Sequence, residues 1–494
     1  MERRPSSDGN RRKQNMTGIA LGVVLGMAAP SQTELTIYNG GFALVKQQRD
    51  LTLQEGIQTI GIEDVAQTIE ANSVAIRSVT KPGSFSVLEQ SYQYDLISTS
   101  AILNKAVGQR IVFNRILPNG VKERLEGTLV SAPTAVVSDA NGNLGSTWNG
   151  MVIQTDDGRI LLNPNGEIEV SSLPSGLISR PTLVWMLQSA MAGVNTVELS
   201  YLAQAISWKS DYVLALDEAG KIGDLKGWVT VTNNTGTTFP GAKLKLLAGE
   251  VNRVQPTYPP GFARGGPERA AMAAAKDSFS EEQFGDYHLY TLGRPSDIRN
   301  KEIKQLSLLE AVGVPVGKKL IVDPMRYYAG FRPSEGEVGT GPIKPTIRLE
   351  FKNDKASKLG MPLPAGTFKV FQRDSSGSLQ LLGESTINHT PREEKITLDV
   401  GRAFDVVVER KRSEFSWIGS NNNRSGMRET FVIELRNRKE TADTVTLIER
   451  HWGQHKILKT NLEPVKLDSE TYEFTVPLKA NEVRQVIYSV ETRW

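Results

Sequence analysis

Hydrophobic and polar residues alternate along most of this chain, which is the pattern of β-strands that bury one face. The first example is a hairpin, in which alternation from Leu35 leads to the turn Asn39-Gly40-Gly41 and then to Phe42–Leu53. Asn and Gly tolerate positive φ angles and so favour a tight turn. Similar runs recur at 197–201, 212–216, 228–231, 368–370, 431–435 and 474–478. The pattern predicts an all-β protein.

Residues 183–191 are the ambiguous segment, because their apolar residues are nearly continuous. Such a run suits either a buried strand or a buried helix. We predict a strand, since sustained helical periodicity is scarce elsewhere in the chain.

Residues 95–175 contain five short alternating segments separated by tight turns. The turns include Pro118-Asn119-Gly120 and Asp156-Asp157-Gly158, and a polar loop covers 139–145. Short strands joined in this way favour a small antiparallel β-barrel inserted into the larger fold. The alternative is that these hairpins extend a larger sheet.

Residues 253–285 interrupt the alternation. The segment is rich in Pro, Gly and Ala and has no apolar periodicity. This composition predicts a flexible loop or linker between ordered strands.

A strand that ends in Asn, followed by a polar turn and another strand, recurs around Asn233, Asn353 and Asn437. The Asn side chain bonds nearby backbone groups and tolerates left-handed geometry, so it suits a strand end. The recurrence favours the strand-to-strand corners of immunoglobulin-like β-sandwich modules.

The length of 494 residues exceeds what one compact core supports, so we expect several domains. The predicted division is a signal peptide (1–30), N-terminal strands that pair with the following sandwich (31–94), the barrel-like insertion (95–175), a β-sandwich with the loop 253–285 (176–345), and a C-terminal immunoglobulin-like β-sandwich (346–494).

The first thirty residues are typical of a signal peptide. A basic segment ends in Arg11-Arg12-Lys13, an uncharged and mostly apolar stretch covers 16–29, and Pro30 follows. As an α-helix, that stretch would be about 21 Å long, whereas a membrane core is about 30 Å thick. We expect export to the periplasm, the cell surface or the medium, with no transmembrane helix after cleavage. The alternative is a disordered tail followed by a buried segment.

Charge and cysteine content exclude several classes of function. From Ser31 onward, acidic and basic residues are equal in number, so the basic excess typical of nucleic-acid-binding proteins is missing. The chain contains no cysteine, which excludes thiol nucleophiles, thiolate metal sites and disulfides. Nucleotide-binding and serine-hydrolase motifs are also missing. We predict no cofactor and identify no catalytic residue.

Four histidines are the remaining candidates for metal chemistry: His288, His389, His451 and His455. Two strand residues at the spacing of His451 and His455 lie about 13 Å apart, too far to bind one ion. A bend at Gly453 would bring them together. We nevertheless expect ordinary surface or edge histidines and no metal site. We expect the segment 389–391 to be a loop between strands.

The cluster SWKSDY contains Trp208, Asp211 and Tyr212. Alternation places the two aromatic residues on one face of a strand and Asp211 on the other. This arrangement favours core aromatics over a sugar-binding platform.

Several ordered motifs resemble one bacterial family. They are SWKSDYVLAL (207–216), GWVTVTNNTG (227–236), AKLKLLAGEVNRV (242–254), YHLYTLGRPSDIRNKEIKQLSLL (287–309), LGMPLPAGTFKVF (359–371) and HTPREEKITLDVGRAFDV (389–406), preceded by ISRPTLVW (178–185). Over about residues 176–494 the chain resembles domain-of-unknown-function family 4139, also described as mucoidy-inhibitor-A-like. The resemblance implies an exported, β-rich protein and transfers no catalytic residue to this chain.

Our leading hypothesis is a non-enzymatic scaffold of the bacterial envelope that binds another envelope protein or a polysaccharide. The alternative is a carbohydrate-active or other hydrolase that uses an Asp/Glu pair, because acidic residues are plentiful and their pairing in space is invisible in sequence. A third hypothesis is a metal-dependent module that uses His451 and His455.

Overall fold

The computed structural model describes residues 24–25, 29–117, 119–131, 134–138, 144–148, 150–253, 279–326, 336–420 and 423–494. Within these ranges the chain is almost entirely β-structure, which confirms the predicted all-β class. No helix in the same ranges is long and apolar enough to cross a membrane. Most of the predicted signal peptide, 1–30, lies outside the described residues, so the structure does not test it.

The first strands, with the one α-helix found in the described residues, are β1 (Val24–Leu25), β2 (Gln32–Tyr38), β3 (Phe42–Leu53), β4 (Gly56–Glu63), β5 (Ala75–Ser78), β6 (Phe85–Gln93), α1 (Thr99–Lys105), β7 (Arg110–Ile116), β8 (Lys122–Ser131), β9 (Thr134–Ser138), β10 (Leu144–Trp148), β11 (Val152–Thr155), β12 (Ile160–Leu162) and β13 (Glu167–Val170). A short 3-10 helix covers Ala71–Ser73. The middle strands are β14 (Thr182–Ser189), β15 (Gly193–Gln204), β16 (Ile206–Leu216), β17 (Ile222–Asn233), β18 (Phe239–Ala248), β19 (Phe279–Phe284), β20 (Tyr287–Leu292), β21 (Ser296–Ile298), β22 (Glu302–Pro315), β23 (Gly317–Val322) and β24 (Gly341–Ile343). The last strands are β25 (Thr346–Lys352), β26 (Gly366–Arg373), β27 (Leu379–Ile387), β28 (Lys395–Arg402), β29 (Val406–Ser420), β30 (Asn423–Asn437), β31 (Asp443–Arg450), β32 (Gln454–Thr460), β33 (Val465–Lys466), β34 (Thr471–Leu478) and β35 (Val483–Arg493).

The predicted N-terminal hairpin and the predicted strand over 183–191 are both present. Strands β2 and β3 pair antiparallel, with Leu35 opposite Val45. The ambiguous segment forms β14, which pairs with β4 and β6. Its Leu183, Trp185 and Leu187 are fully buried in the largest hydrophobic core. Alternate residues of this strand therefore contribute to the core.

The region 95–175 forms an open sheet rather than a closed barrel. Its strand order is β12-β11-β8-β7-β13, and the edge strands β12 and β13 do not pair with each other within the described residues. Closure requires the two edges to share a ladder of hydrogen bonds. The two edge strands have only three and four residues, so they have few backbone groups with which to form such a ladder. The predicted barrel is therefore not confirmed, although this sheet has a small core of its own.

The middle sheet has the order β22-β17-β16-β26-β27, and β16 pairs in parallel with β26. This pairing joins residues on both sides of the predicted boundary at 345/346. The aromatic rings of Tyr212 and Phe368 stack across it with centroids 4.6 Å apart. Burial of these two rings therefore ties distant parts of the chain into one core.

The C-terminal part is sandwich-like, with a second core between two sheets. A six-stranded sheet has the order β28-β25-β23-β31-β34-β33, and a five-stranded sheet has the order β24-β29-β30-β35-β32. Leu447 and Phe474 of the first sheet and Phe431 and Val486 of the second contribute to the core. The residues that alternate with these core residues along the strands line the outer face of the six-stranded sheet.

The three recurring asparagines occupy equivalent corners. Asn233, Asn353 and Asn437 are each 0% exposed, and each Nδ2 donates to at least two backbone carbonyls. Each Oδ1 accepts a backbone N–H from the turn that follows. Each strand end also contacts a second turn that contains a residue of positive φ followed by Glu: Lys301-Glu302, Glu393-Glu394 and Asn481-Glu482. The weak sequence repeat is thus a repeat of structure.

The predicted loop over 253–285 lies only partly within the described residues, since 254–278 fall outside them. Its C-terminal part is not a loop. Residues Phe279–Phe284 form β19, which pairs antiparallel with β20. All six residues pair with β20, and Phe279 is 6% exposed and contributes to the largest core, so a neighbouring strand and one buried side chain define this strand where the sequence shows little alternation.

Candidate functional site

His451 and His455 lie close together, with ring centroids 5.8 Å apart. Gly453 has a φ angle of 67° and turns the chain between them. His451 is 5% exposed, so the predicted surface location is wrong for this residue. Strand β31 continues the alternation of Val445 and Leu447, which directs Glu449 and His451 toward the core. No group of three or more His, Asp or Glu residues suited to a metal ion occurs in the part of the chain that the structure describes.

The two rings differ in their polar contacts. Nε2 of His451 lies 3.3 Å from the hydroxyl of Tyr488. Burial, together with the smaller effect of the neighbouring Arg410, lowers the pKa of His451 to about 3. His451 is therefore neutral at neutral pH. Nε2 of His455 is buried and makes no hydrogen bond with the described residues.

A buried ion pair lies beside these histidines. Nη2 of Arg410 donates to Oε2 of Glu449 at 2.7 Å, and the Tyr488 hydroxyl donates to the same oxygen at 2.6 Å. The side chains of Arg410 and Glu449 are only 3% and 1% exposed. The guanidinium also lies over the ring of Phe431, at 3.8 Å from its centroid.

The space beside this ion pair is small. A cavity of about 30 Å³ is lined by Arg410, Glu429, His451 and Trp452, among others. That volume holds one or two water molecules. The space beside the buried ion pair is therefore too small for a substrate.

Of the other two histidines, His288 lies on strand β20 and His389 lies in an exposed segment between strands. Nδ1 of His288 lies 2.8 Å from Oε1 of Glu281 across the β19–β20 pair. The backbone N–H of Ala365 donates to Nδ1 of His389, and the adjacent Thr390 forms a bridge with Leu363. The segment 389–391 therefore connects strands, as the sequence predicts.

The cluster SWKSDY belongs to the core. Trp208 and Tyr212 are 4% and 0% exposed, and the Tyr212 hydroxyl donates to the carbonyl of Pro364 at 2.8 Å. Asp211 lies on the opposite face of β16 and accepts a hydrogen bond from Thr230. The prediction of core aromatics is confirmed, and these rings offer no sugar platform.

A larger cleft, of about 240 Å³, lies on the outer face of the six-stranded C-terminal sheet. We call it the arginine cleft, because four arginines line it: Arg326, Arg348, Arg402 and Arg450. Aspartates, threonines and aliphatic side chains complete its wall. The strands β25, β28 and β31 each contribute one arginine, and the fourth follows β23.

Three of these arginines are paired with carboxylates. Nε and Nη2 of Arg348 donate to the two oxygens of Asp399 at 2.7 and 3.1 Å, and Arg326 donates to the same carboxylate. Nε and Nη2 of Arg450 donate to Asp323 at 3.4 and 2.9 Å. The hydrogen bond from Arg348 lowers the pKa of Asp399, so this carboxylate stays ionised.

Arg402 is bound differently. Its Nη1 donates to Oγ1 of Thr346 at 2.8 Å and to the carbonyl of Lys344 at 3.3 Å. No carboxylate in the described ranges forms an ion pair with it. The cleft thus contains one guanidinium that is positioned by neutral oxygens alone.

Asp468 is the remaining acidic residue of the cleft wall. The backbone N–H groups of Glu470 and Thr471 both donate to its Oδ1 at 2.8 Å. These bonds, the one from Glu470 foremost, lower the pKa of Asp468. Asp468 is therefore an ionised acceptor rather than a proton donor.

Sequence reasoning missed the arginine cleft. Its arginines lie on separate strands and loops, and each alone looks like one residue of a solvated strand face. Only the sheet order places Arg348 and Arg450 on one surface. The sequence did contain one signal of the cleft. Alternation along each strand places Arg348 and Arg450 on the face opposite the buried Leu349 and Leu447.

No protein-family model matches the sequence, and no curated protein matches it. The resemblance to family 4139 therefore stays a prediction.

Proposed function

We propose that this protein is an exported, non-enzymatic scaffold of the bacterial envelope, built of immunoglobulin-like modules, which binds an anionic envelope molecule at the arginine cleft. The observation that carries the proposal is the convergence of four guanidiniums on a cleft of about 240 Å³. Guanidinium groups bind carboxylate and phosphate oxygens through paired N–H bonds.

The repeated corners support the modular part of the proposal. Three buried asparagines with the same bonding pattern divide the C-terminal two thirds into similar strand–turn–strand units. Strand-end corners of this kind suit tandem sandwich modules. Export rests on the basic and then apolar N-terminal segment, 1–30.

A hydrolase remains the second candidate, because Asp323 and Asp468 line the same cleft. Glycoside hydrolysis needs one carboxylic acid that is protonated at the working pH. The pKa of Asp468 is lowered, so this carboxyl group is ionised, and both oxygens of Asp323 accept hydrogen bonds from Arg450. The geometry of the cleft therefore favours binding over hydrolysis.

Site-specific crosslinking in intact cells tests this proposal. A photoreactive amino acid replaces Leu467, which lines the cleft and is 53% exposed. The matched control carries the same group at Ile303, which is 60% exposed on β22. We expect an envelope adduct at position 467 that is absent at position 303.

Two results would contradict the proposal. One is the absence of any adduct at position 467 in cells that export the protein. The other is glycan hydrolysis by the purified protein that is abolished by Asp468→Asn, which would establish the hydrolase instead.

A further inference from the structure

Arg402 differs from Arg348 and Arg450 in the hydrogen bonds of its guanidinium group. Arg348 and Arg450 each use the Nε–Nη2 edge to bind two oxygens of an aspartate. Arg402 uses only Nη1, and its Nε and Nη2 make no hydrogen bond with the described residues. Since Thr346 and Lys344 already hold its Nη1, the guanidinium is positioned before any ligand binds.

We propose that the Nε–Nη2 edge of Arg402 binds the carboxylate of a sugar acid in the arginine cleft. This inference rests on the proposed function, because it assigns a ligand class to the same cleft. The pair of Arg348 and Asp399 is the same two-pronged interaction, formed within the protein a short distance away.

Charge balance selects a monoanion. Asp399 pairs with Arg326 and Arg348, and Asp323 pairs with Arg450, so among the described residues Arg402 is the cleft arginine whose positive charge has no carboxylate partner. One carboxylate neutralises that charge, whereas a phosphate dianion brings a second negative charge close to the aspartates. Like charges at such short range repel each other.

The other residues of the cleft wall indicate which kind of molecule carries the carboxylate. Asp468 is an ionised acceptor for ligand hydroxyl groups, and Ile343, Ile448 and Leu467 supply apolar contact for one face of a ring. A volume of about 240 Å³ is below the roughly 300–1,000 Å³ of drug-sized sites. One sugar ring with a carboxylate fits this combination of charge, hydroxyl acceptors and size.

Isothermal titration of the purified full chain tests the inference, with D-glucuronate as the probe. D-glucose is the uncharged control, and inorganic phosphate is the control for a general anion site. Arg402→Gln removes the two-pronged donor at an exposed position, and Arg392→Gln removes the same charge from an exposed turn outside the cleft. We expect saturable binding of glucuronate and none of glucose. Arg402→Gln should weaken binding at least tenfold, which corresponds to about 1.4 kcal/mol, whereas Arg392→Gln should leave it unchanged.

Three outcomes would overturn the inference: no binding of glucuronate, equal binding of phosphate, or full affinity in Arg402→Gln. If any of them occurs while the adduct at position 467 persists in cells, the cleft is a binding site for another class of ligand. If the adduct is also absent, the proposed function fails together with the ligand assignment.

Discussion

Removal of the buried Glu449 carboxylate is the sharpest stability test that the structure offers. In the native state Glu449 accepts hydrogen bonds from Arg410 and Tyr488, and its side chain is 1% exposed. Glu449→Ala leaves the Arg410 guanidinium buried, with long contacts of 3.3 Å to the carbonyls of Val338 and Gly339 as its main remaining hydrogen bonds.

The expected loss follows from burial. Breaking a buried ion pair by removing one partner costs about 3–5 kcal/mol, because the other charge stays desolvated and unpaired. An exposed ion pair contributes only about 0–1 kcal/mol. The double variant Arg410→Met/Glu449→Leu removes both charges, so we expect it to recover most of the loss. Glu440→Ala, at an exposed position, should stay within about 0.5 kcal/mol of the parent.

Urea denaturation of these proteins and of the single variants Arg410→Met and Glu449→Leu, followed by circular dichroism and tryptophan fluorescence, measures these free energies of unfolding. The cycle of the parent, these two single variants and the double variant then gives the coupling between Arg410 and Glu449. A loss below about 1 kcal/mol in Glu449→Ala, or a double variant less stable than both single variants, would refute the reasoning.

Three further predictions concern other features. His451 has a folded-state pKa of about 3 and an unfolded value of about 6.5, so its contribution to the free energy of unfolding is complete above pH 6.5 and falls by up to about 1.4 kcal/mol per pH unit on acidification. His451→Gln should therefore weaken the pH dependence of the urea midpoint between pH 3 and 6.5, and an unchanged dependence would contradict the burial argument. Asn353→Ala and Asn437→Ala leave buried carbonyls without donors and should each lower the free energy of unfolding by about 2–3 kcal/mol. In the same urea assay, Asn388→Ala at an exposed position should cost under about 0.5 kcal/mol, and equal losses would show that the buried asparagines do not stabilise the strand-end corners. Intact-mass measurement on protein from the native host should place the mature N-terminus near residues 30–32, and an uncleaved Met1 in the cytoplasmic pool would exclude export by this segment.

Local periodicity predicted much of the secondary structure. The alternation of β2 and β3, the turn between them and the strand β14 are all properties of neighbouring residues. The burial of Trp208 and Tyr212 follows from the same rule, since side chains two apart share a strand face. The asparagine corners were also visible, because Asn has a specific use at a strand end.

Predictions from neighbouring residues failed for polar residues that occupy core-facing positions of a strand. Arg410 continues the alternation of Val406 and Val408, and Glu449 and His451 continue that of Val445 and Leu447. The surface or edge location predicted for His451 was wrong, because the mutual pairing of these polar groups offsets the cost of burying them. That pairing is between strands and is invisible along the chain.

The sequence by itself thus determined the all-β class, the hairpins and the corners, because each depends on the two-residue period or on one turn. The tertiary structure alone decided the open edges of the insertion, the parallel pairing of β16 with β26, and the arginine cleft. The physical reason is that a strand's period fixes which residues share its face but not which strand becomes its neighbour. Arg402 gains its distinct environment only because β28 lies beside β25, where Thr346 and Lys344 hold one end of its guanidinium.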